Sequence, residues 1–142
     1  MKRVIGSAAL LLLFALGAVA GERVFCRYVI DGDTFYADGV GKIRLLGVDT
    51  PELAREGKPD QPGAVKAKNF LKQTLQGKFA LLDYDFERRD KFGRTLAYVT
   101  TEEGLDVNEE LLKLKLAEPI RHLPYSRKER YLRLWAGAGD KR

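Results

Sequence analysis

The chain has one cysteine and one histidine. With Cys26 alone no intramolecular disulfide can form, so the fold must rest on its buried core. Cys26 lies in an alternating, strand-like segment and reads as a small core residue rather than a reactive thiol. No small residue precedes it in Arg23-Val24-Phe25, which excludes a lipoprotein attachment site. The one histidine, His122, is remote from the acidic segments, which argues against a zinc centre or a histidine-activated nucleophile. Internal repeats and low-complexity tracts are also lacking. Charge is mixed, 25 basic against 20 acidic side chains, a mild excess compatible with a polyanionic partner.

Long apolar runs are lacking except for one at the start. Lys2 and Arg3 precede "VIGSAALLLLFALGAVA", and Ala18-Val19-Ala20 supplies a small-x-small cleavage pattern. Residues 1–20 therefore read as a secretory signal peptide. An uncleaved anchor is the alternative, but the run is short of the roughly 20 residues that a span requires. The remaining residues, 21–142, suffice for one domain. Without Lys2 and Arg3 the balance is 23 to 20, net +3. The expected destination is the periplasm or the medium, as a monomer with no membrane attachment after cleavage.

Three strands are expected first: "VFCRYVI" ending at Asp31-Gly32, "DTFYA" ending at Asp38-Gly39, and "KIRLLGV" ending at Asp49-Thr50-Pro51. "LAREGKPDQPG" (53–63) is a loop, and "AVKAKNFLKQTLQG" has the apolar spacing of a helix stopped by Gly77, with Lys66, Lys68 and Lys72 on a solvated face. "KFALLDYDF" and "RTLAYVT" supply a fourth and fifth strand. "DVNEELLKLKLAE" is a helix capped by Asp106 with Glu109 three residues on, and "YSRKERYLRLWAGAG" is a basic tail helix with Trp135 as a core plug. Five short strands with two or three helices predict a small α+β domain, and a five-stranded Greek-key barrel of the OB type is its compact form.

Asp33, Asp49 and Glu52 fall at strand ends. In a meander the first turn and the end of the third strand lie at one end, so Asp33 and Asp49 become neighbours, with Asp31 and Glu52 close by. Grouped carboxylates need a cation, a shared proton or an arginine. With only oxygen donors at hand, the cation is a hard one, calcium or magnesium. "DGDTFYADG" is not an EF-hand loop: counted from Asp31, Tyr36 stands where glycine is required and Lys42 where glutamate is. Arg44 interrupts the third strand on the face expected to carry Leu46 and Val48, and Arg94 opens the fifth. Two guanidiniums and a hard cation suit a phosphodiester, with Glu52 able to take a proton from water.

The segments "IDGDTF", "IRLLGVDTPE", "RRDKFGRTLAYV" and "VNEELLKLKLAE", in this order and spacing, resemble the motifs of the staphylococcal nuclease family. The resemblance covers Val24 to Leu116 and continues to Trp135. It implies an OB-type barrel with three helices and calcium held by Asp33 and Asp49 with the Thr50 backbone carbonyl. It further implies Glu52 as general base, Arg44 and Arg94 as phosphate-binding residues, and Arg94 assisting the leaving oxygen. Members hydrolyse DNA and RNA at the 5′ P–O bond to leave 3′-phosphate ends, and phosphate contacts with stacked bases encode no sequence. Lys91 matches a residue that contacts a terminal phosphate, Phe92 stands where tyrosine is usual, and Tyr125 is the candidate base-stacking residue. A short third helix implies lower stability than in longer relatives. Alternatives are a catalytically inactive nucleic-acid-binding OB module, or a calcium-binding structural module that would leave Arg44 and Arg94 without a role.

Overall fold

The computed structural model describes residues 21–139, so the expected signal peptide lies outside the described residues. In chain order the elements are β1 (Glu22–Val29), β2 (Thr34–Ala37), β3 (Gly41–Leu45), β4 (Val48–Asp49), α1 (Ala64–Leu75), β5 (Phe79–Asp83), β6 (Thr95–Thr101), α2 (Val107–Lys113), β7 (Glu118–Pro119) and α3 (Lys128–Gly137). Strands β1-β2-β3-β6-β5 close into a barrel, and β4 pairs with β7 outside it. The β3–β6 contact is parallel and the other barrel pairings are antiparallel. A parallel pair requires a crossover, here through α1 and β5. The five-stranded OB-type barrel with three helices is the expected α+β fold.

Alternation fills the barrel. Phe35 and Ala37 of β2 and Ile43 and Leu45 of β3 are fully buried, which turns Thr34, Tyr36, Lys42 and Arg44 outward. Cys26 is buried, as expected, and burial pushes its thiol up to about 12, so it stays protonated. Helix α1 buries Ala64, Ala67, Leu71 and Leu75. Gly32 lets it approach: a Cβ there would lie 2.7 Å from both Ala67 Cβ and Thr50 Oγ1.

Several expected boundaries are corrected. "KIRLLGV" is not one strand, because β3 ends at Leu45 and the chain turns through Gly47 at φ 79 before β4. Arg44 therefore does not share a face with Val48, although it lines one cavity with the half-buried Leu46. Val48 points into the core while Arg44 lies on the outer wall of the barrel. Gly47 is required sterically as well, since a Cβ would come 2.6 Å from the Tyr125 ring. Helix α2 keeps its Asp106 cap, which accepts from the Glu109 N–H at 3.0 Å. It stops at Lys113, however, and Lys115 adopts φ 58. Trp135 packs against the edge of the core rather than plugging it. It is half-buried, with the Lys115 ammonium 3.9 Å and the Arg121 guanidinium 5.5 Å from its ring centroid. The residue of α3 that does fill the core is Tyr131.

Candidate active site

The turn joining β1 to β2 is built by its own polar groups. Ile30 and Asp31 donate their N–H groups to the Thr34 carbonyl, and Asp33 donates its N–H to Asp31 Oδ1 at 3.1 Å, an Asx turn. Asp33 is thereby aimed at the β4 end of the neighbouring segment. Its Oδ2 accepts from both the N–H and the hydroxyl of Thr50 at 3.0 Å, and its Oδ1 accepts from Thr34 Oγ1.

Arg44 joins the two carboxylates. Its Nη2 lies 3.3 Å from Asp33 Oδ2 and 3.1 Å from Asp49 Oδ1, while Nη1 donates to the carbonyls of Leu45 and Val48 at 2.6 Å each. The bonds to carbonyls fix the guanidinium against the Gly47 turn, and the opposite edge meets the carboxylates. Burial raises the Asp31 pKa above the ordinary carboxylate value, and the Asp33 charge adds to it. Crowding by protein also raises Asp49, with Arg44 opposing and Asp33, Glu52 and Glu118 reinforcing. Since 68% of the Asp49 side chain is open to solvent, water tempers that rise.

Arg94 enters from the loop before β6 and is gripped by Asp90, whose Oδ2 accepts from Nε at 2.7 Å. Asp90 Oδ1 accepts the backbone N–H groups of Phe92 and Arg94. Burial alone would raise Asp90, but the hydrogen bonds from Arg94 and the Phe92 backbone outweigh it and hold the pKa below the usual value. Glu52 is exposed, and its backbone is clamped by Gln61: the Glu52 N–H donates to Gln61 Oε1 at 2.9 Å, and the Gln61 N–H to the Glu52 carbonyl at 2.8 Å.

Asp33, Arg44, Asp49, Thr50, Glu52 and Arg94 all line one cleft of about 450 Å³, with Phe92 at its edge. Lys91 does not line it. Lys91 borders an adjacent, more apolar cavity of about 610 Å³, whose walls also include Leu46, Ile120 and Leu123 and which shares Arg44, Asp49, Phe92 and Arg94 with the first. Phe92 is 72% exposed, with the Lys91 ammonium and Arg94 guanidinium 5.2 and 5.4 Å from its ring centroid.

Tyr125 is a correction. It is buried, donates its hydroxyl to the Ile120 carbonyl at 2.9 Å, and packs against Tyr131 with ring centroids 5.8 Å apart. A ring enclosed on these sides cannot stack on a base. His122, remote in sequence, reaches the wall of the second cavity instead.

Asp90, Gln61, Asn108 and Arg55 were not legible as site residues. For Asp90 a signal exists, the Asp-x-x-Gly turn of "DKFG", in which Gly93 donates to the Asp90 carbonyl at φ 77. Asn108 is fully buried and ties β6 to the Gly47 turn, accepting from the Val99 N–H and donating to the Leu46 carbonyl. Arg55 approaches Asp31 at 3.7 Å from a tight turn in which Lys58 donates to the Arg55 carbonyl. Neither residue announces itself by spacing.

Among the described residues no three Asp, Glu, His or Cys side chains form a ready-made metal cage. The donors that do converge, the Asp33 and Asp49 carboxylates bridged by Arg44 at one cleft, are hard oxygens. This set fits a hard divalent cation that keeps part of its water shell.

A closed OB-type barrel whose outer wall carries paired acids and two anchored guanidiniums over one cleft is the class of protein that the structure defines. Comparison narrows the class. The family model described as staphylococcal nuclease homologue matches residues 42–142. The thermonuclease of Staphylococcus intermedius is 43% identical over 103 residues, covering 70% of this chain and 58% of the relative. That of Staphylococcus hyicus is 42% identical over 106 residues, covering 72% and 62%. The SPbeta prophage-derived endonuclease YokF of Bacillus subtilis is 39% identical over 92 residues, covering 62% and 31%. The chain belongs to the staphylococcal nuclease family. It spans about 60% of the length of the two thermonucleases it matches.

Proposed function

We propose that this protein is a calcium-dependent, sugar-nonspecific nuclease that hydrolyses DNA and RNA at the 5′ P–O bond. The observation that carries this reading is the convergence of Arg44, Arg94 and Glu52 with Asp33 and Asp49 on one open cleft. Similarity to proteins named thermonuclease and endonuclease supports it.

Asp33, Asp49 and the Thr50 carbonyl would hold calcium, which when bound supplies a fixed positive charge that polarises a phosphate oxygen. Arg44 and Arg94 donate to the non-bridging oxygens and to the additional negative charge that develops when a fifth oxygen bonds to phosphorus. Because Asp90 and the Gly47 turn already hold both guanidiniums, little reorganisation is required as that charge grows. Glu52, held by Gln61 at the mouth, takes one proton from the attacking water. The P–O5′ bond breaks, the 5′ oxygen departs beside the Arg94 N–H groups and takes up a proton from solvent, and the 3′ side keeps the phosphate. An open cleft with phosphate contacts favours an unstacked single strand. Export to the periplasm or medium is part of the proposal, supported by the basic, apolar and small-residue order of residues 1–20.

Residues 21–139 enclose their own core, so the chain from Gly21 onward is the material to assay. Heat-denatured DNA would be followed by hyperchromicity with calcium, with chelator, and with Glu52→Gln. Cleavage that needs calcium and collapses in the variant is expected. Binding without cleavage would overturn the reading in favour of a catalytically silent binding module.

A further inference from the structure

The outer wall of β1, β2 and β3 carries an aromatic pair that the proposed chemistry does not use. Barrel register sets Thr34 beside Arg44, Tyr36 beside Lys42 and Tyr28 beside Tyr36. A register break in β1 between Cys26 and Tyr28 leaves Cys26 in the core and turns Tyr28 outward. The Tyr28 and Tyr36 rings stack with centroids 5.2 Å apart and planes 5° from parallel, and Tyr28 is 46% exposed. Lys42, Thr34 and Arg44 line the cleft. Lys42 is thus the step between them, one row of roughly 7 Å from Arg44 along β3 and directly across the strand pair from Tyr36. The arginines of these strands are engaged, Arg23 with Glu102, Arg27 with Asp38 and Arg44 with Asp33 and Asp49, whereas Lys42 is exposed.

We propose that Tyr28 and Tyr36, with Lys42, form a base-stacking subsite that holds a single nucleic-acid strand where it leaves the cleft. The proposal rests on the cleft's being the phosphodiester site, and extends it across the barrel wall. Aromatic faces beside a cation match an unstacked strand because every base has a π face and every link a phosphate, so the grip adds reach without sequence preference. A cross-strand aromatic pair can also act only to stabilise a hairpin, and the two roles separate by substrate length.

The test uses labelled oligothymidylates of two and eight nucleotides, with binding followed by anisotropy on a Glu52→Gln background and cleavage on the parent, both in calcium. Tyr28→Ala is expected to weaken the eight-mer about tenfold, the size of one lost base–aromatic stack, and to leave the dinucleotide unchanged. Tyr28→Phe should stay within about twofold of the parent, because the ring face and not the hydroxyl is used. Circular dichroism melts check that each variant is folded. Equal eight-mer affinity in Tyr28→Ala and parent overturns the subsite, and so does equal loss for both lengths. If the parent cleaves nothing yet Tyr28→Ala still loses the eight-mer, the subsite stands and the nuclease reading falls. If the parent binds neither length, both fall.

Discussion

Arg44 stands 3.3 Å from Asp33 while the same guanidinium is fastened at 2.6 Å to the carbonyls of Leu45 and Val48. One side chain therefore closes the Gly47 turn, neutralises the acids of the cleft and presents charge to an incoming phosphate. A planar fork can do these together, whereas an ammonium is a single point of charge.

Arg44→Lys is accordingly expected to lower kcat/KM at least about 100-fold, the loss of one oriented donor to the developing charge. It should also lower the melting temperature in chelator. Steady-state assay on denatured DNA and a thermal melt check both; an unchanged melt would show that the guanidinium does not hold the turn.

Asp49 and Glu52 should fail differently. A carboxylate whose pKa is raised by folding costs stability near neutral pH and is relieved as pH falls or as the charge is removed. Because 68% of the Asp49 side chain is open to solvent, that cost is small, so Asp49→Asn should melt close to the parent in chelator at pH 7 and lose most of the rise that calcium gives. Glu52→Gln should keep that rise while turnover drops about 10² to 10⁴-fold. Melts with and without calcium decide; an intact calcium response in Asp49→Asn would remove Asp49 from the ligand set.

Asp90 acts through Arg94. Asp90→Asn keeps an acceptor for the loop N–H groups but loses the charged grip on Nε, so kcat should fall about tenfold with the calcium-induced melting shift unchanged. Asp90→Ala, which also frees the loop, should fall further. A lost calcium shift in Asp90→Asn would mean that the whole cleft had been disturbed.

Acid should loosen the start of α3. Asp85 accepts from the Tyr98 hydroxyl and the Ser126 N–H; burial acts to raise its pKa, but these bonds win and bring it from 3.8 to about 2. A carboxylate with a depressed folded value stabilises above the unfolded value and loses that contribution as pH falls from 3.8 to about 2. Urea unfolding across that range should show stability falling with pH, and Asp85→Asn should flatten the slope. Equal slopes would assign the acid sensitivity to other groups.

The sequence by itself determined the five barrel strands, the alternation that sends Phe35 and Ile43 into the barrel and Thr34 and Arg44 to its outer wall, the Asp106 cap and the motif order that marks the family. Each of these is written within a few residues, as a period, a turn dipeptide or a cap, so local physics suffices to read it. The tertiary structure alone decided that Gly47 breaks the third strand so that Arg44 can bond the Val48 carbonyl. It also decided that Tyr125 fills the core over that glycine, that His122 comes to the cavity wall, and that Asn108 spans 62 residues to hold Leu46. Those outcomes depend on which distant surfaces meet when the barrel closes. A side chain's neighbours across such separations are fixed by packing and register, which no local pattern encodes.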